Sequence, residues 1–426
     1  MSLDVLSYEE AAALVAKHSS KLARNRRAVE RVKLSDSAGR VLAQPLRADR
    51  DQPSFARSTR DGFACRAAEA STHQPLAVTG ATKAGDAPSG PLPRNAVWEI
   101  MTGAPVPRGA DAVLMLEHVE VVDGRVRLLP PRTTSIGENI VAKGAQARNH
   151  QLLLPAGTVI GAAQIALAAA CGYAEVEVFA RPRVAILATG DELVPVEKSP
   201  TPGQIRNSNA PMLAAMVAAA GGEPWALPIA ADTAQALDAA LARAADADLL
   251  LITGGVSAGK FDLVEPALAR AGARFHFTGV RIQPGKPAVF GELPRRSTKI
   301  VQNQNSTKYN ENGKKYCFFG LPGNPVSSAV TFLLFAAPVL AALAGSAGAS
   351  TRFVLAKLVA DVKAKPGLTR FLPALCNFAG STPEVELVPW QGSGDVAAMA
   401  RANCFLVVPE DAHRLKASAT VRILLL

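Results

Sequence analysis

Apolar residues along this 426-residue chain change their spacing several times. Near the start, YEEAAALVAKH carries them at helical intervals, which predicts a helix over residues 8–18. ERVKLSDSAGRVLAQPLRA follows and reads as a strand, a turn at residues 36–39 and an extended exit. From about residue 51 to 146 the chain is rich in Pro and Gly, with short alternating runs such as AVWEIM and AVLMLEHVEVV, the pattern of a small β-rich unit. An Ala-rich helical stretch and then EVEVFARP return over residues 152–180. The β-rich piece therefore reads as an insertion between two halves of a linker region.

From residue 183 strands alternate with helices: RVAILATG, a helix capped at Asn209 with Pro211, EPWALPIA, a helix through Ala244, ADLLLITGG, and a helix from Asp262. Such alternation predicts a parallel sheet with helices on both faces. The FFGL strand leads into residues 326–344, VSSAVTFLLFAAPVLAALA, which carry no charge and approach the length that spans a bilayer. Asn324 as a cap, Pro325 in the first turn and the lack of basic anchors favour a buried helix instead. Beyond residue 350, short strands between Pro and Gly turns predict a small barrel. Residues 293–316, LPRRSTKIVQNQNSTKYNENGKKY, replace the Ala/Val/Leu background with Asn, Lys and Gln, and read as a mobile hairpin excursion between AVFGEL and YCFFGL.

Composition narrows the class. With 49% hydrophobic residues the chain suits real cores and several domains. Early acids and no charged-then-apolar order in the first twenty residues give no expectation of a signal peptide. The five cysteines are odd in number and never in CxxC spacing, which argues against a disulfide frame and a zinc site and fits a reducing cytoplasm. A formal charge of +10 could suit nucleic acid, but the basic residues are spread out and only 5% of residues are aromatic, so no stacking platform is expected. A modest positive field suits small anionic ligands.

The chemistry concentrates after strands. In LLLITGGVSAGKFD, residues 249–262, an apolar run ends in Gly254-Gly255 and then presents Ser257, Lys260 and Asp262 before a helix. Two glycines at a strand's carboxyl end let backbone approach a ligand, and a following helix start offers exposed N–H groups to a phosphate. A plain turn is the alternative. ILATGDELV and FFGLPGNPVSS repeat the arrangement, and three such loops would converge at the sheet edge where doubly wound folds bind ligands. Asp262 begins DLVE, a capping box with Glu265, yet a carboxylate there could also hold Mg²⁺ beside a phosphate. Asp191 and Glu192 read in isolation as solvated loop acids. Asp232, just before a helix, reads first as a helix cap. In QPGKP, prolines stiffen the loop around Lys286, suiting a fixed cation toward an oxyanion. None of the six histidines falls in these motifs.

Taken in order, STRDGFA, IMTGAPVP, TGDELV, TGGVSAGKFD, IQPGKP and GLPGNPVSS resemble the molybdopterin molybdenumtransferases of MoeA type, the family shared with the carboxyl-terminal part of gephyrin. The resemblance runs from about residue 54 to 403. It implies an α/β multidomain chain: a discontinuous linker and dimerisation domain (1–50 and 147–182), an inserted β-rich domain (51–146), a Rossmann-like doubly wound molybdopterin-binding domain (183–345) and a C-terminal small β-barrel (346–426). It implies a cytoplasmic homodimer that inserts molybdate into adenylylated molybdopterin and releases AMP with Mg²⁺. No covalent enzyme nucleophile is required for such phosphoryl-type cleavage.

The same resemblance implies roles. Asp262 would be the catalytic aspartate and, with Glu192, would hold the metal; Asp191 and Asp232 would complete the acidic pocket. Gly254, Gly255 and Ser257 would take the pterin phosphate or the adenylate, and Pro322 and Pro325 would keep the LPGNP turn rigid. Lys286, Pro287, Ser327 and Ser393 would form the molybdate pocket. Asp61 and Thr102, turn residues in isolation, would come from the second subunit and complete the cleft. Partners would include a molybdopterin adenylyltransferase and recipient molybdoenzymes, with neither nucleic acid nor membrane. Arg60, KGAQ at residues 143–146, Gln283, and Pro373 closing residues 366–373 depart from the family pattern, with Arg370 a candidate substitute for a lost basic contact. Two rivals stand beside this reading: a molybdopterin adenylyltransferase, disfavoured by GGVS and the extra β domains, and a gephyrin-like scaffold.

Overall fold

Strand-forming runs and their connections assemble into three six-stranded sheets. The computed structural model describes residues 5–22, 28–87, 90–255, 263–295, 315–346 and 353–426. Contacts divide the chain into two units, one of Met1–Glu30, Gly39–Ala43 and Val178–Leu426, the other of Arg31–Ala38 and Gln44–Glu177.

In the first unit, four strands, Glu223–Ala226, Arg183–Ala188, Leu249–Thr253 and Lys315–Leu321, lie parallel in that order. The sheet then turns antiparallel through Val289–Pro294 and ends on the edge strand Arg274–Phe277. The alternating pattern predicts the parallel part, and the hairpin supplies the rest: Leu293 pairs with Tyr316 and Pro294 with Lys315, the two ends of the polar insertion. Residues 296–314 lie outside the described residues, so the expected excursion itself does. Burial explains the run of apolar residues: Leu249, Leu250, Leu251 and Ile252 are all within 1% of complete burial, as strands covered on both faces must be. Each fully buried large apolar side chain contributes roughly 1.5–3 kcal/mol.

The uncharged segment is the central helix of this unit. Pro325–Thr331 passes through a wide π turn at Phe332–Ala336 into Ala337–Ala344. It is long and apolar enough to cross a membrane, yet most of it is buried inside the protein. Pro338 lacks the N–H that would bond the Leu334 carbonyl and its ring crowds that turn, so the widened turn just before it has a local cause. The amino-terminal helix extends over Tyr8–Leu22, longer than its period predicts, and packs Tyr8 edge-on against Phe371.

The small barrel closes. Thr369–Asn377, Glu384–Leu387, Phe353–Leu358, Thr420–Leu425 and Cys404–Val408 pair in sequence, and the last returns to the first. Ile282–Gln283 adds in parallel beside Thr369 and Arg370, which ties the QPGKP loop to the barrel.

The second unit holds a sheet ordered Ala112–Met115, Gly62–Cys65, Ala96–Ile100, Leu76–Thr82, Arg125–Leu128 and Val119–Val122. Its core gathers Phe63, Leu76, Val97, Leu114 and Val126. Gly62 has φ +156°, and a Cβ there would sit 1.8 Å from the Leu114 carbonyl oxygen, so the strand pairing requires the glycine of the RDG motif.

Candidate active site

The carboxyl ends of three parallel strands bring their loops into backbone contact. Thr189 N–H donates to the Thr253 carbonyl at 3.0 Å, and Gly254 N–H donates to the Leu321 carbonyl at 3.3 Å. Gly254 holds φ +92°, and a Cβ on it would stand 2.4 Å from the Thr189 carbonyl oxygen. Gly323 flanks it on the other side, where a Cβ would lie in ordinary contact, 3.6 Å from the Gly254 Cα. At Gly254, where TGG meets TGDELV, only bare backbone fits.

Buried polar side chains lock this junction. Asn209 Nδ2 donates to Thr253 Oγ1 at 2.8 Å and to the Gly323 carbonyl at 2.6 Å. Ser328 Oγ donates to the Pro322 carbonyl, and Thr253 Oγ1 lies 3.3 Å from the same hydroxyl. Asn209 therefore does not cap its helix: Ser208 occupies the cap position, and the helix Asn209–Ala219 begins on Asn209 itself. A cap makes a local bond within one turn, whereas this amide spans two loops. Asn324 also departs from its capping expectation. It sits at the cap of Pro325–Thr331 without a side-chain cap bond, and its Nδ2 donates to Ser393 Oγ at 2.8 Å.

That bond recruits the barrel. Ser393 also accepts Val326 N–H on its carbonyl at 3.1 Å. Asp395 shapes the QGSGD turn by accepting from Ala398 N–H and Gln391 N–H, bonds that hold its carboxyl below the usual carboxylate range. Pro322, Pro325 and Ser393 thus lie on one constellation. Ser327 is buried in the first turn of the helix.

The acids fall on neighbouring loops. Asp232 accepts a 2.7 Å bond from Thr189 Oγ1, while the cap of the following helix is Thr233, whose hydroxyl accepts from Ala236 N–H. Asp191 accepts from Asp232 N–H at 3.0 Å. Glu192 is exposed, with its carboxylate folded over Gly190, where a Cβ would meet it at 2.5 Å. Ser257, Lys260 and Asp262 lie outside the described residues; Gly254 and Gly255 are the last described positions before them.

Lys286 is exposed and Pro287 half-buried at the QPGKP loop, where the Lys286 carbonyl accepts Val280 N–H at 2.9 Å. Arg370 Nε donates to Gln283 Oε1 at 2.9 Å, and its guanidinium also donates to the Lys365 and Leu368 carbonyls. Arg370 thus stands beside Gln283, as a substitute basic group must, but its donors are largely turned to neighbouring protein oxygens.

Asp61 and Thr102 belong to the other unit and meet there. Thr102 N–H donates to Asp61 Oδ1 at 2.6 Å, which holds the Asp61 carboxyl below the usual range. The motifs gave most of these residues a role in the site, but gave none to Thr189, Asn209, Asn324 or Asp395. Polar residues one to three places beyond apolar strands were the available signal for Thr189 and Asn324.

The sequence matches the MoeA N-terminal region (domain I and II) over residues 6–172, the probable molybdopterin binding domain over 185–342 and the MoeA C-terminal region (domain IV) over 355–426. It is 34% identical to a molybdopterin molybdenumtransferase of Bacillus subtilis (strain 168), over 93% of this chain and 90% of that protein. It is 37% identical to one of Nostoc sp., over 75% of this chain and 70% of that protein. Among solved structures, a molybdopterin biosynthesis MoeA protein from Pyrococcus horikoshii OT3 superposes with TM-score 0.78 and 27% identity, covering 99% of this chain and 100% of that one.

Proposed function

This chain belongs to the MoeA-type molybdopterin molybdenumtransferase family, transferases of molybdenum cofactor biosynthesis, and from that premise we propose that it inserts molybdate into adenylylated molybdopterin and releases AMP. The observation that carries the reading is the meeting of three loops at Thr189, Gly254 and Gly323 on the carboxyl edge of a parallel sheet, the place where doubly wound folds bind their ligands.

The donor chemistry fits Mg²⁺ as the accompanying ion. Asp191, Glu192 and Asp232 offer carboxylate oxygens beside the junction, but these acids do not form a closed group of ligand atoms among the described residues. A hard cation that keeps waters and takes only one or two carboxylates, with substrate phosphates completing its shell, suits that arrangement. When bound it would neutralise charge on the leaving phosphate. Glu192, with Asp262 from the adjoining loop, would hold it.

The chain's own residues then position the substrate. Backbone at Gly254 and Gly255, with Ser257, takes the phosphate. Lys286 and Pro287, with Ser327 and Ser393, receive molybdate, and the Asn324–Ser393 bond holds the barrel turn in place for it. Asp61 and Thr102 act from the second subunit of a homodimer in the cytoplasm. Incubation of the purified protein with adenylylated molybdopterin, Mg²⁺ and either molybdate or tungstate tests the reading by product analysis. Molybdate-dependent AMP release is expected; formation of adenylylated pterin from ATP and molybdopterin by this protein alone would overturn it.

A further inference from the structure

At the other end of the same sheet, three side chains from distant parts of the sequence converge. His18 comes from the amino-terminal helix, His276 from the edge strand Arg274–Phe277, and Glu292 from its neighbour Val289–Pro294. One ligand atom of each lies within 4.8 Å of the others. Glu292 pairs with Cys317 near the start of Lys315–Leu321, four residues before the Leu321 end that leads into LPGNP, so about 13 Å of strand separates the two places.

Each residue is held in a way that favours ligation. His276 is the extra residue of a β-bulge: Phe275 pairs with Gly291 and Phe277 with the adjacent Phe290, so the bulge re-aims the His276 side chain. That side chain is 8% exposed, and its Nε2 is buried without a hydrogen-bond partner among the described residues. A buried unpaired ring nitrogen costs free energy unless something fills its lone pair. Glu292 Oε2 is 3.7 Å away, too far for a hydrogen bond. It is close to the roughly 3.3 Å expected between two ligands on one tetrahedral ion with bonds of about 2.0–2.1 Å. His18 Nδ1 donates to the Leu14 carbonyl at 3.0 Å, which fixes the tautomer that leaves Nε2 as the electron-pair donor. The rings of His18 and His276 are 4.1 Å apart and both rest against Phe290. Burial above all, then the neighbouring His18 and the charges of Arg274 and Lys315, disfavour imidazolium at His276 against the opposing pull of Glu292, which leaves the ring neutral.

We propose that His18, His276 and Glu292 form a binding site for a divalent transition metal of the zinc class, pinning the amino-terminal helix to the edge of the sheet. Two imidazoles and one carboxylate leave a fourth position for water. The cysteine spacing gave no sign of it, because its ligands are not cysteines and lie about 260 residues apart along the chain. Distance from the three-loop junction makes the role one of holding the fold together.

The untagged full-length chain, stripped with chelator and then freed of it, should take up about one Zn²⁺ per molecule in calorimetric titration and melt at a higher temperature with zinc. His276→Gln and Glu292→Gln should each weaken that binding at least about ten-fold. X-ray absorption at the zinc edge of the wild-type protein should show two imidazoles with oxygen, a readout that stands even if a variant fails to fold. No saturable uptake by the folded wild-type chain, undiminished uptake by the folded variants, or a sulfur-containing or purely oxygen shell would overturn the proposal.

Discussion

Asn209 donates from one buried amide to Thr253, tying the start of a helix to the end of a strand at 2.8 Å while also holding the Gly323 carbonyl. Asn209→Ala would take this donor from Thr253, which is buried, and from the carbonyl of the exposed Gly323. Loss of such bonds costs about 1–3 kcal/mol, to be read as a lower urea midpoint with an unchanged slope. AMP release should fall as well, because the TGG and LPGNP loops lose their common tether.

Gly254 offers a sharper test of the junction. Gly254→Ala places a methyl group 2.4 Å from the Thr189 carbonyl oxygen and forces Ala into φ +92°. The cost should exceed about 1 kcal/mol, and substrate binding measured by calorimetry should drop with it. A variant that binds and melts like the parent would remove the backbone junction from the site.

Asp61 has a pH signature. Its pKa is lowered by the Thr102 N–H bond, so the bond's stabilising contribution is present above the unfolded value of about 3.8 and is lost as pH falls through the lower folded value. Carbonyl-detected NMR should find the Asp61 carboxyl titrating below a model aspartate. Asp61→Asn keeps an acceptor for Thr102 and should preserve the turn, whereas Asp61→Ala should loosen it.

Asp262 separates capping from charge, although it lies outside the described residues. An Asn caps as well as an Asp, while Ala costs about 1 kcal/mol. Asp262→Asn should melt like the parent, still bind adenylylated molybdopterin and lose most AMP release even at raised Mg²⁺; near-normal turnover would reduce it to a cap. Mixing Asp61→Ala with Asp262→Ala protein should restore part of the activity if the cleft is shared between subunits. Verified subunit exchange without recovery would refute the shared cleft.

All five cysteines are free and buried. Burial pushes the thiols of Cys65, Cys317 and Cys404 up to about 12, so almost no thiolate exists near neutral pH. Ellman's reagent at pH 8 should react slowly with native protein and rapidly with five thiols per chain after denaturation. Fast reaction in the native state would reveal opening of these cores.

The chain's spacing of apolar residues was enough to place the parallel strands, the buried helix after Pro325 and the glycine loops after Thr189, Thr253 and Leu321. Those features rest on burial of consecutive residues and on backbone freedom, which are local properties. Family motifs added names for side chains, but Asn209, Asn324 and Asp232 read locally as caps. Each instead bonds to a residue far away in sequence, a partner that local spacing does not reveal. The pairing order of the barrel strands, the Asn324–Ser393 bond and the meeting of His18, His276 and Glu292 were decided by tertiary structure alone. The barrel order rests on strand register, the Asn324–Ser393 bond on a turn meeting a helix start, and the placing of His276 on one bulged residue, and none of these is a local property.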